Sequence, residues 1–292
     1  MALKLYNESD IQDIADAIRG KNGSSDTYKV SEMADAIDDI PTGGGGLSLT
    51  DVLNRSVTGD IDITVTNSFS PDGDHLNAYN SLFKDCAIST LTVRGLEFIP
   101  ERFAEQTGLG SNGRNSVLTE VFMPDAEVPG VSSFYNAKAL TKASFPALTT
   151  GRVNNVSRGT SMFMNCSSLV NVNMGDLDRI CSGMFQGCTS LQSLDLKAPN
   201  YIESNSFKDA WALATLVIRS SSVPTLNNIN AFSNTPFASG KSGGTLYVPQ
   251  SLISSYQSET NWSTILGYAT NSIQAIEGSP YETQYAYGEP VT

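Results

Sequence analysis

Charge is scarce in this sequence. Lys, Arg, Asp and Glu make up 16% of its 292 residues, against roughly 25% in an ordinary soluble domain. Basic residues are the scarcer sign, 18 against 30 acidic, for a formal net charge of −12. With no basic stripe to neutralise phosphates, nucleic acid and anionic lipid are poor partners. Histidine occurs once, as His75, so any Ser-His-Asp or Cys-His set must use it. It lies in the turn SPDGDH (70–75) and reads as an exposed loop residue. Asp72 and Asp74 lack the further oxygen ligands of a calcium loop, and Pro71-Asp72-Gly73 is turn chemistry. Gly20–Gly23 with Lys21 is too short for the GxxxxGK[ST] phosphate loop. No CxxC pair suggests a metal. The first residues, MALKLYNESD, hold no apolar run long enough for a signal peptide or membrane span. These absences lead us to expect no catalytic residues, no cofactor, no metal and no membrane insertion, in a chain made in a cytoplasm.

What is present is a repeat. FYNAKALTKASF from Phe134, FMNCSSLVNVNM from Phe163, FQGCTSLQSLDL from Phe185 and FKDAWALATLVI from Phe207 align, and FKDCAISTLTV from Phe83 aligns more loosely. The pattern is F-x-x-[C/A]-x-x-L-x-x-[V/L/A]-x-[apolar]. Its first strand positions are Ala143, Val172, Leu194 and Leu216, in steps of 29, 22 and 22 residues, a leucine-rich-repeat period. Two degenerate units start at Phe103 and Phe232, making about seven. Leu194 and Leu196 point to one side of a short strand because its period is two, with Leu191 and Phe185 beneath. No unit buries these side chains alone, so the units stack and their strands form a parallel sheet.

Cys86, Cys166 and Cys188 take the slot held by Ala137, Ala210 and Thr235 in other units. That slot suits a small buried residue, and free Cys behaves as one. A Cys166–Cys188 bridge stays open as an alternative, since stacked positions lie about 5 Å apart. Cys181 lies outside the slot. The pattern resembles the BspA-like leucine-rich repeats of bacterial surface and phage proteins over about 83–276, including a closing signature at 234–268, NTPFASGKSGGTLYVPQSLISSYQSETNWSTILGY.

The first 46 residues differ. They carry 9 acidic and 4 basic side chains. Ile11, Ile14, Ala15 and Ile18, then Val30, Met33, Ala34 and Ile37, recur at helical spacing. Ser9 with Gln12 is a capping start and Gly20 a stop. The expectation is a helical hairpin over 1–42 tethered by the flexible linker 43–46. About 40 residues bury too little to stand alone, so the face formed by Ile11, Ile14, Ile18, Met33 and Ile37 needs a partner. IADAIRGKNGSSDTYKVSEMADAI is similar to short N-terminal modules of phage and prophage tail-type proteins. That resemblance implies attachment to other tail proteins or to sister chains, as a homo-oligomer such as a trimer.

Residues 47–82 read as the solenoid's N-terminal cap, with a strand at 61–65, and 83–249 as the repeats. A C-terminal cap follows over 250–277, where a short helix from Ser251 to Tyr256, Trp262 with Ile265, and a strand from Ile273 to Ile276 close the core. Residues 278–292 form a Tyr-rich tail. Two polar insertions, 107–116 and 150–159, read as edge loops. They supply candidate ligand contacts in Asn112, Arg114, Asn115, Arg152, Asn154, Asn155 and Arg158. The fold class is thus α+β, a BspA-like leucine-rich-repeat solenoid of short parallel strands preceded by a small helical hairpin. The function expected is a non-enzymatic phage or prophage tail protein, located in the virion tail, whose solenoid meets a host surface glycan or protein. The alternatives are a bacterial cell-surface adhesin and a glycan-cleaving tail enzyme.

Overall fold

The computed structural model describes residues 58–64, 83–84, 87–105 and 117–281. The expected helical hairpin with Ile11, Ile14, Ile18, Met33 and Ile37, the linker, His75, Cys86 and the insertion carrying Asn112, Arg114 and Asn115 lie outside these residues.

The strand expected of each unit forms. Along the chain these strands, with one cap strand added at each end, are β1 (Thr58–Thr64), β2 (Ala87–Arg94), β3 (Glu120–Phe122), β4 (Lys142–Ser144), β7 (Asn171–Asn173), β9 (Ser193–Leu196), β11 (Thr215–Ile218), β13 (Thr245–Val248) and β14 (Ser272–Ala275). Every pairing among them is parallel. The register aligns Ile61, Leu91, Val121, Ala143 and Val172 in one row, and Leu194, Leu216, Leu246 and Ile273 in another. Two sheets result, β1-β2-β3-β4-β7 and β9-β11-β13-β14. Where the first ends, Asn173 turns its side chain inward and accepts from Gly175 N at 3.1 Å. Such local bonds compete with a ladder for the backbone.

A second ladder runs through the returning segments, where the sequence showed no strand. Backbone N–H groups of Glu127, Thr149, Asp178, Asn200 and Thr225 donate to the carbonyls of Glu97, Glu127, Thr149, Asp178 and Asn200 in turn. Its regular part is the parallel sheet of β8 (Arg179–Ile180), β10 (Tyr201–Ile202) and β12 (Thr225–Leu226). Side chains from both ladders meet in one core.

Turns beginning at each Phe stack into a third row. Phe134, Phe163, Phe185 and Phe207 donate their N–H to the next unit at Met162, Met184, Ser206 and Ala231. Their rings and that of Phe232 lie 5.2–5.8 Å apart, with interplanar angles of 7–24°. Two residues beyond each Phe the backbone enters the left-handed region, at Asn136, Asn165, Gly187, Asp209 and Asn234. Asn, Asp and Gly are the residues that tolerate it. The unit expected to start at Phe103 is shifted by one. Ala104 N donates to Ser133 O as Phe134 N does to Met162 O, so Ala104 occupies the Phe slot. Phe103 instead meets Phe83 edge-on at 5.1 Å.

Helices α1 (Ile253–Ser258) and α2 (Thr260–Leu266) close the C-terminal end. Glu259 terminates α1 and its carboxylate accepts Asn261 N at the start of α2. Trp262 is buried against Phe232 and Tyr256, and its indole N–H donates to Pro224 O at 2.8 Å, which satisfies the one polar atom that the ring takes into the core.

Candidate functional site

The insertion at 150–159 is a β-hairpin rather than a loop. Strands β5 (Arg152–Val153) and β6 (Val156–Ser157) pair antiparallel. Asn154 and Asn155 hold φ of 49° and 63° between them, the two successive positive values of a type I′ turn. Asn-Asn between two valines was its sequence signal. Arg152, Asn154, Asn155 and Val156 are exposed, Val156 at 51%. Arg152 Nη2 donates to Asn155 O at 3.0 Å and steadies the tip. Arg158 lies at the root, drawn to Glu101 at 4.0 Å, so it does not join the other three at the tip.

The root is fixed without slack. Gly151 N donates to Asp178 Oδ1 at 2.8 Å. A Cβ on Gly151 would lie 2.7 Å from Arg179 O, and one on Gly159 would overlap Met184 Cε. Ser157 Oγ donates to Glu203 Oε1 at 2.6 Å. Glu203 also accepts from Arg179 Nη1 at 3.1 Å and Ser182 N at 2.8 Å. The Arg179 guanidinium lies 4.0 Å over the Tyr201 ring, and Tyr201 OH donates to Asn227 Oδ1 at 2.9 Å. A polar strip therefore runs from the hairpin root across the sheet of β8, β10 and β12. Sequence reasoning missed Arg179, Tyr201, Glu203 and Asn227. The signal that existed was a polar-apolar pair, Arg179-Ile180 and Tyr201-Ile202, recurring at the repeat period.

The carboxylates serve as struts. Asp195 takes Arg219 through three hydrogen bonds of 2.7–3.0 Å, and Arg219 also donates to Tyr281 O at 2.7 Å. Among the described residues no group of three His, Cys, Asp or Glu side chains could hold a metal ion.

Cys166, Cys181 and Cys188 are free and buried, so the open question of a Cys166–Cys188 bridge resolves to packing. Each slot thiol donates to the Phe carbonyl of the preceding unit, Cys166 to Phe134 O at 3.1 Å and Cys188 to Phe163 O at 3.2 Å. Burial pushes the Cys166 and Cys188 thiols well up, and that of Cys181 up to about 12. The thiolate is the reactive form. At pH 8 the folded protein is therefore expected to leave these three unalkylated by iodoacetamide, as peptide mass mapping would show. Fast labelling of Cys188 without unfolding would contradict this packing.

Neither a curated protein nor a solved structure matches the chain. Residues 114–238 match the BspA type leucine-rich repeat region in six copies, so this stretch is similar in sequence to such repeats, and its stacked parallel strands suit a repeat solenoid.

Proposed function

We propose that the chain is a non-enzymatic recognition protein of a phage or prophage tail, attached through residues 1–42 and displaying its solenoid to a host surface. The observation that carries the recognition part is the hairpin of Arg152, Asn154, Asn155 and Val156. It is exposed at the tip and rigid at the root, and a site held in shape loses little entropy on binding. The tail part draws its support from the similarity of 1–46 to tail-type modules. A cell-surface adhesin is the second reading, favoured by the BspA-type match of residues 114–238.

Light scattering tests the attachment role. The full chain is expected to self-associate, as a trimer for instance, or to bind a tail protein, whereas a truncation beginning at Leu47 stays monomeric with the repeats folded. Each of Ile11, Ile14 and Ile18 left in water forgoes roughly 1.5–3 kcal/mol of burial, which drives the association. A full chain that remains a monomer and binds no tail protein would remove the anchoring role. Release of fragments from host polysaccharide by the same preparation would overturn the non-enzymatic reading.

A further inference from the structure

Trp211 is the most exposed large apolar side chain among the described residues, at 66%. It follows Ala210 of the small buried slot, where other units place Lys138, Ser167 and Thr189. Those side chains meet water at little cost. An indole there adds nothing to the core and keeps its apolar area wet, which marks it for a contact.

The neighbouring unit is built around it. Leu216 to Leu246 spans 30 residues, where Leu194 to Leu216 spans 22. The extra length forms a wall opposite Trp211. Trp211, Asn234, Thr235, Pro236, Lys241 and Ser242 line a groove of about 430 Å³, within the roughly 300–1,000 Å³ of small-ligand sites. The wall is pre-formed. Gly243 N donates to Pro236 O at 3.1 Å, Thr270 Oγ1 to Lys241 O at 3.2 Å, and Asn271 Nδ2 to Phe237 O at 2.7 Å. Gly243 holds φ +98° against the Thr270 carbonyl, which a Cβ would overlap. Exposed Asn234 donates its Nδ2 to Asp209 Oδ1 at 2.7 Å, which leaves the amide oxygen and a second N–H for a ligand.

The chemistry selects among occupants. β11 and β13 are hydrogen-bonded on both edges, so no main chain is open for a peptide strand to add to. A polyproline helix needs an aromatic-lined groove, and here one ring stands alone. Nucleic acid would need several cations to neutralise its run of phosphates, and Lys241 is the one cation among the lining residues. One flat indole face beside mixed donors and acceptors suits a sugar. The C–H face of a pyranose is positively polarised and suits the negative face of the ring, while Asn234 and Ser242 line the same groove and offer donors and acceptors to hydroxyls. Lys241 is exposed and makes no ion pair among the described residues, so it favours a ring bearing a carboxylate.

We infer that this groove binds an acidic pyranose residue of a glycan, stacked on Trp211 and paired with Lys241. The inference rests on the recognition reading but takes nothing from the tail placement.

Fluorescence tests it directly, because the chain has two tryptophans and Trp262 is buried. Acrylamide quenching of the full chain therefore reports Trp211. Oligogalacturonate or hyaluronan oligosaccharides are expected to protect it, and neutral dextran oligosaccharides to do so less. By calorimetry, Trp211→Ala should weaken binding of the acidic sugars by about tenfold or more, as loss of an aromatic anchor does, at unchanged melting temperature. Lys241→Gln should abolish the preference for acidic over neutral sugars. The inference is overturned if no sugar protects Trp211, or if Trp211→Ala binds sugar as the parent does. Shielding that grows with protein concentration alone, or comes only from a proline-rich peptide, overturns it too. Host-cell adhesion that survives Trp211→Ala but is lost in Arg152→Glu would overturn this site and leave the recognition reading standing. Adhesion absent from the parent chain would instead remove the recognition reading.

Discussion

Phe185→Ala is expected to destabilise the solenoid by about 3–5 kcal/mol, the cost of deleting a fully buried ring and leaving its cavity. Phe185 is 0% exposed and lies between Phe163 at 5.6 Å and Phe207 at 5.8 Å. Its N–H is bonded to Ser206 O, which holds this turn to the next unit. The surrounding backbone is thus clamped on successive turns and cannot collapse into the space. Urea unfolding followed by circular dichroism measures the loss. Because each unit contacts only its neighbours, the double variant with Phe207→Ala should depart from additivity, as residues in contact do. A loss below about 1 kcal/mol would mean that the rings are not the packed column described, since buried Phe truncations do not come so cheap.

Glu203→Ala is the second large effect, expected at about 2–3 kcal/mol. The carboxylate gathers the Arg179 guanidinium, the Ser157 hydroxyl and the Ser182 N–H. Removing it strands three donors at once. Orphaned buried partners, rather than the lost attraction, dominate such costs. Glu203 and Arg179 side chains keep 16% and 13% of their exposure, so the figure sits below the ~3–5 kcal/mol of a fully buried pair. Glu203→Gln retains an acceptor and should cost less. Hydrogen exchange separates this strut from general stability: amides of the hairpin 152–157 should exchange faster in Glu203→Ala, because Ser157 loses its partner, while those of β11 follow only the global change. Equal melting of parent and Glu203→Ala would refute the strut.

The core was legible in advance because it obeys a local rule repeated many times. Leu194 with Leu196, Leu191 and Phe185 recur at fixed offsets, and a side chain buried by stacking must recur wherever a unit stacks. The slot occupied by Cys166, Cys188 and Ala210 was legible for the same reason, although whether the thiols were bridged was not. Spacing allows a bridge, and only the placement of each Sγ on a Phe carbonyl decides against it.

The one-residue shift at Phe103 shows where pattern matching misleads. Phe103 stands near the right place in the sequence, but hydrogen-bond register puts Ala104 in the Phe slot and sends Phe103 against Phe83. Register is a property of two segments side by side, and one unit's sequence does not contain it. The second ladder escaped for a related reason, since strands as short as Arg179–Ile180 and Tyr201–Ile202 are too brief to show a period.

The sequence by itself thus determined the repeat, the identity of the core and the stacked parallel architecture, because burial is written residue by residue at a constant interval. Tertiary structure alone decided which polar groups meet. Ser157 and Glu203 are 46 residues apart, and Trp211 and Lys241, from successive units, line one groove. Nothing periodic relates them, because each contact arises where an insertion folds back on a neighbouring unit, and the geometry of that return is set by the packed core rather than by the residues it brings together.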